Sequence, residues 1–166
     1  NEKKTYGGGW TPKNYGGTSG GQVTIEEALV HSMNIPTIDL ANKVGMSKVL
    51  KTAEACGIST LVKEGKSNDD NLAASIDGVS VFDMAKAYSV FANDGKLVEP
   101  TAILKVIDRN GNVLEDHSGK AESKQVVDEN AVYRLTRILE EVISRGTGGN
   151  ASIGRPAAGK TGTTDD

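Results

Sequence analysis

The sequence predicts a mixed α/β fold of the α+β kind, a helical first half followed by a hairpin, one long helix and an extended end. Three observations carry this. Apolar residues recur at helical spacing between positions 24 and 95. β-Branched residues flank an Asp-Arg-Asn-Gly turn at 108–111, and a second helical period follows Asp128 before a Gly-rich tail. Helices segregated from strands in this way make α+β rather than a regular alternation.

Residues 1–23 hold KKTYGGGWTPKNYGGTSGG, which has Gly, Pro and Asn but no period, and read as an extended segment. Tyr6, Trp10 and Tyr15 are large for a linker and are expected to pin it to the body. Residues 24–95 form the helical part. Thr24-x-x-Glu27 is a capping box ahead of Ile25, Ala28 and Leu29, in a helix that ends around 32–34. Pro36 suits the first turn of a second helix over 36–44, closed by Gly45. A third spans 47–56 and stops at Gly57. Residues 58–71 are polar and read as a surface loop. Ser80-x-x-Asp83 starts another helix, with Asp83 at its positive end, Met84, Tyr88 and Phe91 as its apolar stripe, and Asp94-Gly95 as its end.

Residues 96–166 change character. TAILKVIDRNGNVLED predicts a hairpin with an Asn-Gly turn. Asp128 caps a long helix reaching residue 144, with Val132, Leu135, Leu139 and Val142 on one face. Then comes RGTGGNASIGRPAAGKTGTTDD, with a final strand-like piece.

A chain of 166 residues with 37% hydrophobic and 25% charged residues is large enough for a core of its own. Aromatics are only 4%, so that core must rest on Ala, Val, Leu and Ile. The charge is 19 − 22 = −3, and no Lys/Arg run forms a basic stripe, so nucleic acid is not an expected partner. No apolar run approaches the roughly 20 residues of a membrane helix, so no membrane contact by this chain is expected. Cys56 is the one cysteine and closes an apolar helical face with Leu50 and Ala53; it reads as a small buried hydrophobe. His31 and His117 have no metal-ligand companion at helical spacing. Neither a cofactor nor a metal is expected.

The tail GRPAAGKTGTTDD satisfies two motifs at once. Gly154 to Thr161 is a literal G-x-x-x-x-G-K-T, the phosphate-cradling P-loop. A P-loop needs a strand before it and a helix directly after it. Upstream lies GTGGNAS, and after Thr161 the given sequence has Gly162, Thr163, Thr164 and two Asp, a poor helix start. A nucleotide-binding protein stays as the remote alternative, and stabilisation by ATP or GTP in a melting curve distinguishes it.

Read as a strand, AAGKTGTT makes physical sense. Gly159 and Gly162 let another backbone approach, and an extended peptide could add to such an edge. Lys160 would bring positive charge, and Thr161 and Thr163 hydroxyl donors, to a substrate carboxylate, while a backbone N–H near Thr163 could serve an oxyanion. Upstream, Ser32-Met33-Asn34 forms an S-x-N between two predicted helices. Arg145 to Ala151 holds a G-T-G-x-x-A just before the K-T-G.

S-x-N, G-T-G-x-x-A and K-T-G in this order, with GGGWTPKNYGG, VTIEEALVHSMNIPTIDLANKVG and VSVFDMAKAYSVFANDGKLVEP, resemble the transpeptidase domain of class A, bifunctional penicillin-binding proteins. The resemblance covers essentially the whole chain. It implies a partial penicillin-binding transpeptidase, or serine β-lactamase-like, fold: a helical subdomain plus an incomplete antiparallel sheet. It implies a peptidoglycan cross-linking enzyme in which a serine attacks the penultimate D-Ala carbonyl of a stem peptide, D-Ala leaves, and a neighbouring amine takes the acyl group. β-Lactams mimic D-Ala-D-Ala and acylate the same serine. Carried over by motif, Ser32 relays a proton to the leaving group, Asn34 binds the substrate's amide side chain, and Lys160 holds the local field positive. Thr161, Gly162 and Thr163 make the carboxylate-binding edge, with both threonine hydroxyls on the carboxylate. Gly146 to Ala151 shape the entry.

The family's nucleophile lies in S-x-x-K. No serine here has Lys three residues on, and Thr60-Leu61-Val62-Lys63 has the spacing with the wrong residue. The chain therefore reads as an internal piece of the domain that penicillin does not acylate by itself, from a parent at the extracytoplasmic face of the bacterial membrane. Its tail, 157–166, is expected to be mobile or paired, with missing strands supplied by another chain or a dimer partner. A penicillin-recognising sensor, a β-lactamase or a non-catalytic binding module are the alternatives within the family.

Overall fold

The computed structural model describes residues 1–61, 71–119 and 121–163. Among them the elements run α1 (Ile25–Val30), α2 (Asn34–Val44), α3 (Met46–Ala55), α4 (Val81–Ala92), β1 (Lys96–Val98), β2 (Lys105–Ile107), β3 (Val113–Asp116), β4 (Ser123–Gln125) and α5 (Glu129–Ser144).

Three helices begin on caps that local sequence dictates. Thr24 Oγ1 accepts from Glu27 N, Ser80 Oγ from Asp83 N and Asp128 Oδ1 from Ala131 N, each at 3.0 Å. Each bond satisfies one of the N–H groups that a helix start leaves without a partner. The reciprocal half of the Thr24 box is absent, because Glu27 turns its carboxylate to Arg145, 2.7 Å away. α2 starts at Asn34, two residues ahead of the expected Pro36. Proline is tolerated there because a first-turn N–H has no intrahelical acceptor to lose.

Two apolar clusters form the core. Ile38 and Ala41 of α2 pack on Met46 and Leu50 of α3, with Leu72 and Ala74 from a short 3-10 turn over Leu72–Ile76. Tyr6 and Trp10 lean on this cluster and hold the Gly-rich segment down. Tyr15 does not join them and is 91% exposed, since the chain turns outward there through a short 3-10 stretch. The second cluster joins Cys56, Ala87 and Val90 to Phe91, Leu97, Val126 and Val127. Burial pushes the Cys56 thiol above its ordinary pKa, which leaves it a packing residue. The buried face of α4 is Asp83, Ala87 and Val90, one residue off the expected stripe, and Met84 is exposed. Asp83 is claimed by that face: its carboxylate accepts from Ser59 N (3.3 Å) and Thr60 Oγ1 (3.2 Å). The expected 58–71 loop and the Thr60-to-Lys63 stretch extend into residues 62–70, outside the described residues.

The antiparallel sheet is two separate ribbons. β1 pairs β4, with Leu97 opposite Lys124, and β2 pairs β3 across the expected turn, with a register shift between Val106 and Ile107. Gly95 joins the first ribbon to the entry of α5. Its carbonyl accepts from Val126 N and Val127 N, at 2.9 and 3.1 Å. Its φ is +84°, and a Cβ there would lie 2.2 Å from the Val127 carbonyl oxygen, so only glycine fits.

α5 packs on α1 through Val142 and Val30, both fully buried. Around that contact Arg145 pairs with Glu26, Glu27 and Glu141. These pairs are exposed to water and salt and therefore weak, whereas burying one aliphatic side chain contributes roughly 1.5–3 kcal/mol. Apolar packing holds the two helices together.

Asp39 on α2 receives Lys4 from the Gly-rich segment and Lys43 from its own helix, and both lysines hold its carboxyl down to about 2. A depressed carboxylate stabilises the fold above its ordinary value of 3.8 and ceases to do so as pH falls towards about 2. Urea unfolding across pH is expected to show Asp39→Asn less stable than wild type at neutral pH, with the two converging at the acid end. Parallel curves would remove the tether.

Candidate active site

The S-x-N segment is a helix end followed at once by a helix start. α1 closes at His31, and Ser32 takes the left-handed region with φ +52°. Ser32 N donates to Leu29 O (3.2 Å) and Met33 N to Ala28 O (2.8 Å), which is the Schellman pattern. The turn reverses the chain so that Asn34 begins α2. Met33 offers that helix no side-chain cap. Asn14, from the Gly-rich segment, supplies one: its Oδ1 accepts from Ile35 N at 2.9 Å. Asn14 is buried, and its Nδ2 donates to Thr18 O and Asn1 Oδ1, both at 2.7 Å. Asn34 answers by donating from Nδ2 to Lys13 O at 3.0 Å. Two hydrogen bonds thus staple residues 13–14 to the S-x-N turn.

The K-T-G segment arrives from the other side. Gly159 N donates to Leu139 O of α5 at 3.2 Å. Lys160 then reaches Ser32: its Nζ donates to Ser32 Oγ at 2.6 Å and to Thr161 O at 2.8 Å. Burial pushes the Lys160 ammonium below its ordinary value of 10.5. Residues 157–163 form neither a helix nor a strand among the described residues, so the expected K-T-G strand is not formed there. The segment's one backbone hydrogen bond to a helix is the Gly159 contact. Gly162 and Thr163 are exposed, and the space where a Gly162 Cβ would stand is open. Residues 161–163 do not begin a helix and no strand precedes them, which removes the P-loop context.

The G-T-G-x-x-A segment locks the two together. Thr147 N donates to Val30 O at 3.3 Å, and the Thr147 and Thr161 hydroxyls lie 2.6 Å apart. Gly146 presses on the same carbonyl, so that a Cβ there would lie 2.4 Å from Val30 O. Ser32, Lys160 and Thr161 are therefore brought together through hydrogen bonds. Asn34 shares the turn but directs its Nδ2 to Lys13, and Thr163 makes no hydrogen bond among the described residues. Sequence reasoning missed Asn14, which carries no local signal because its partner Ile35 is 21 positions away. It flagged Thr147 only as part of a shaping motif. Among the described residues no cluster of His, Cys, Asp or Glu could hold a metal.

An S-x-N turn set against a K-T-G lysine on a mixed helical and antiparallel scaffold is the arrangement of penicillin-recognising proteins. The family model of the penicillin-binding protein transpeptidase domain matches residues 1–165, and the chain belongs to that family. It is 37% identical over 158 residues to penicillin-binding protein 1A of Aquifex aeolicus, covering 95% of this chain and 21% of that one. It is 33% identical over 167 residues to penicillin-binding protein 1F of Bacillus subtilis, covering 98% and 22%. Among solved structures, PonA1 of Mycobacterium tuberculosis in complex with penicillin V superposes with a TM-score of 0.84 at 30% identity, over 99% of this chain and 46% of that one. The chain thus spans about a fifth of the length of the Aquifex aeolicus and Bacillus subtilis relatives.

Two outcomes test the geometry. Asn14→Ala leaves the buried Ile35 N–H without its acceptor and is expected to cost about 1–2 kcal/mol in urea unfolding; an unchanged midpoint would show that α2 does not depend on this cap. A base with a lowered folded pKa binds fewer protons folded than unfolded between that pKa and 10.5. Stability contributed by Lys160 therefore rises with pH through that window. The difference between wild type and Lys160→Met is expected to shift in that direction across an alkaline series, and a flat difference would contradict a desolvated ammonium.

Proposed function

We propose that this chain is the substrate-binding part of a serine-type peptidoglycan D,D-transpeptidase, and that the acylated serine lies on polypeptide outside these 166 residues. The observation that carries this is the 2.6 Å contact from Lys160 Nζ to Ser32 Oγ. Family membership and a structural relative that holds penicillin V support it.

In acylation, the nucleophilic hydroxyl gives its proton to a base on the same outlying polypeptide as its oxygen bonds to the penultimate D-Ala carbonyl carbon, the bond from that carbon to nitrogen breaks, and the departing amine needs a proton of its own. Lys160 donates to Ser32 Oγ, which leaves the serine's own hydrogen to point at that nitrogen. Ser32 gives its proton to the amine and takes one from Lys160. A lowered lysine pKa makes that donation easier. When the acceptor amine attacks the acyl-enzyme, its proton returns by the same path. Thr161 and Thr163 hydroxyls, with the open backbone at Gly162, hold the terminal carboxylate in the positive field of Lys160. Asn34 keeps its Oδ1 for the substrate amide, since only its Nδ2 is engaged. β-Lactams enter as mimics of the D-Ala-D-Ala end.

Stem peptides are cross-linked outside the cytoplasm, so the parent works at the extracytoplasmic face of the bacterial membrane. No described helix is long and apolar enough to cross a membrane. A second reading within the same family is a penicillin-recognising module that binds without forming an acyl-enzyme.

Labelling with a fluorescent penicillin separates the two. The full-length polypeptide that carries this chain is expected to form a covalent adduct, slowed about a hundredfold or more by Ser32→Ala or Lys160→Ala. The 166-residue chain alone is expected to stay unlabelled. A full-length polypeptide that binds penicillin without an adduct would establish the module instead.

A further inference from the structure

We infer that Thr147 is a positioning residue for the substrate carboxylate, acting through the Thr161 hydroxyl. The inference rests on the carboxylate-binding role proposed above for Thr161. Three noncovalent contacts close a ring: Lys160 Nζ on Ser32 Oγ, the Thr161 hydroxyl on the Thr147 hydroxyl, and Thr147 N on Val30 O. The peptide links from Lys160 to Thr161 and from Val30 to Ser32 complete it. Within this ring Thr147 is the member outside both motifs that touches each of them.

The chemistry of the hydroxyl pair then sets a direction. A threonine hydroxyl carries one proton and two lone pairs. At 2.6 Å one of the two oxygens must donate, and with no ligand either can. A carboxylate is acceptor-only, so Thr161 gives its proton to the anion. The contact with Thr147 then survives only if Thr147 donates to Thr161. The outcome is a one-way chain, Thr147 to Thr161 to carboxylate, in which each bond polarises the next. The Thr147 backbone cannot swing away to break it, because its N–H is held by Val30 O and Gly146 is pressed against the same carbonyl. A carboxamide end can offer Thr161 either a donor or an acceptor, so it does not require the Thr147 proton. Thr147 thereby favours a ligand that ends in a carboxylate.

Two probes titrated into the full-length polypeptide that carries this chain test this by calorimetry: an N-acyl-D-Ala-D-Ala dipeptide and its C-terminal carboxamide. Wild type is expected to prefer the carboxylate. Thr147→Val keeps the shape and the backbone bond to Val30 while removing the hydroxyl. It is expected to weaken the carboxylate probe roughly threefold or more and to leave the carboxamide unchanged within about twofold. Thr147→Ser is expected to restore the preference, and Thr161→Val to abolish it with no further loss when Thr147→Val is added. Equal weakening of both probes, no weakening, failure of the serine variant, or no preference in wild type would each overturn the assignment. Preference as described in a parent that forms no penicillin adduct would sink the transpeptidase proposal alone. Adduct formation with a silent Thr147→Val would sink Thr147 alone.

Discussion

A half-buried ammonium must replace the water it gives up with oxygen ligands. Lys160 finds two, the Ser32 hydroxyl and the Thr161 carbonyl. That requirement joins segments 128 positions apart, and much of the surrounding structure exists to make it possible. α1 must end where it does for Ser32 to turn outward. α5 must offer Leu139 O so that the approaching chain is steered by Gly159. Gly146 must lack a side chain so that the link between the two can press on Val30. None of these contacts is strong alone. Their geometry is mutually dependent, and the ammonium stands at the point where they meet.

The least regular part of the chain supports its most demanding turn. Residues 1–23 have no helix or strand beyond short 3-10 stretches, yet they supply both the apolar anchors Tyr6 and Trp10 and the buried cap Asn14. The anchors dock the segment on the α2–α3 cluster, which brings Asn14 within reach of Ile35. Apolar burial does the holding and a polar group does the aiming. The same division recurs on α4, where Ala87 and Val90 pack while Asp83 orients Ser59 and Thr60.

What could be read beforehand follows the range of each interaction. The caps at Thr24, Ser80 and Asp128 act over three residues, and the hairpin turn over four, so their sequence pattern contains both partners. The buried face of α4 lies one position from the one its pattern predicts, because Met84 is hydrophobic enough to suggest burial while Asp83 is buried only through partners on another loop. Pro36 marked a helix but not its first residue, since proline fits several first-turn positions. Asn14 lies within the GGGWTPKNYGG segment, but its role as a cap is not legible there, because the N–H it caps is 21 positions away. The Ser32–Lys160 contact is the longest in range of all. It was legible through the order of three short motifs, and nothing in the local chemistry of either segment would have announced it.

Ser32 occupies a backbone state that glycine enters freely and that an L-residue enters at a cost of roughly 1–2 kcal/mol. Glycine at this position would relieve the backbone but would withdraw one of the two oxygens that hold the Lys160 ammonium. The serine therefore sets a conformational penalty against a contact to a half-buried charge. At position 32 the backbone's preference and the side chain's partner thus pull in opposite directions, so a change made to ease the one disturbs the other.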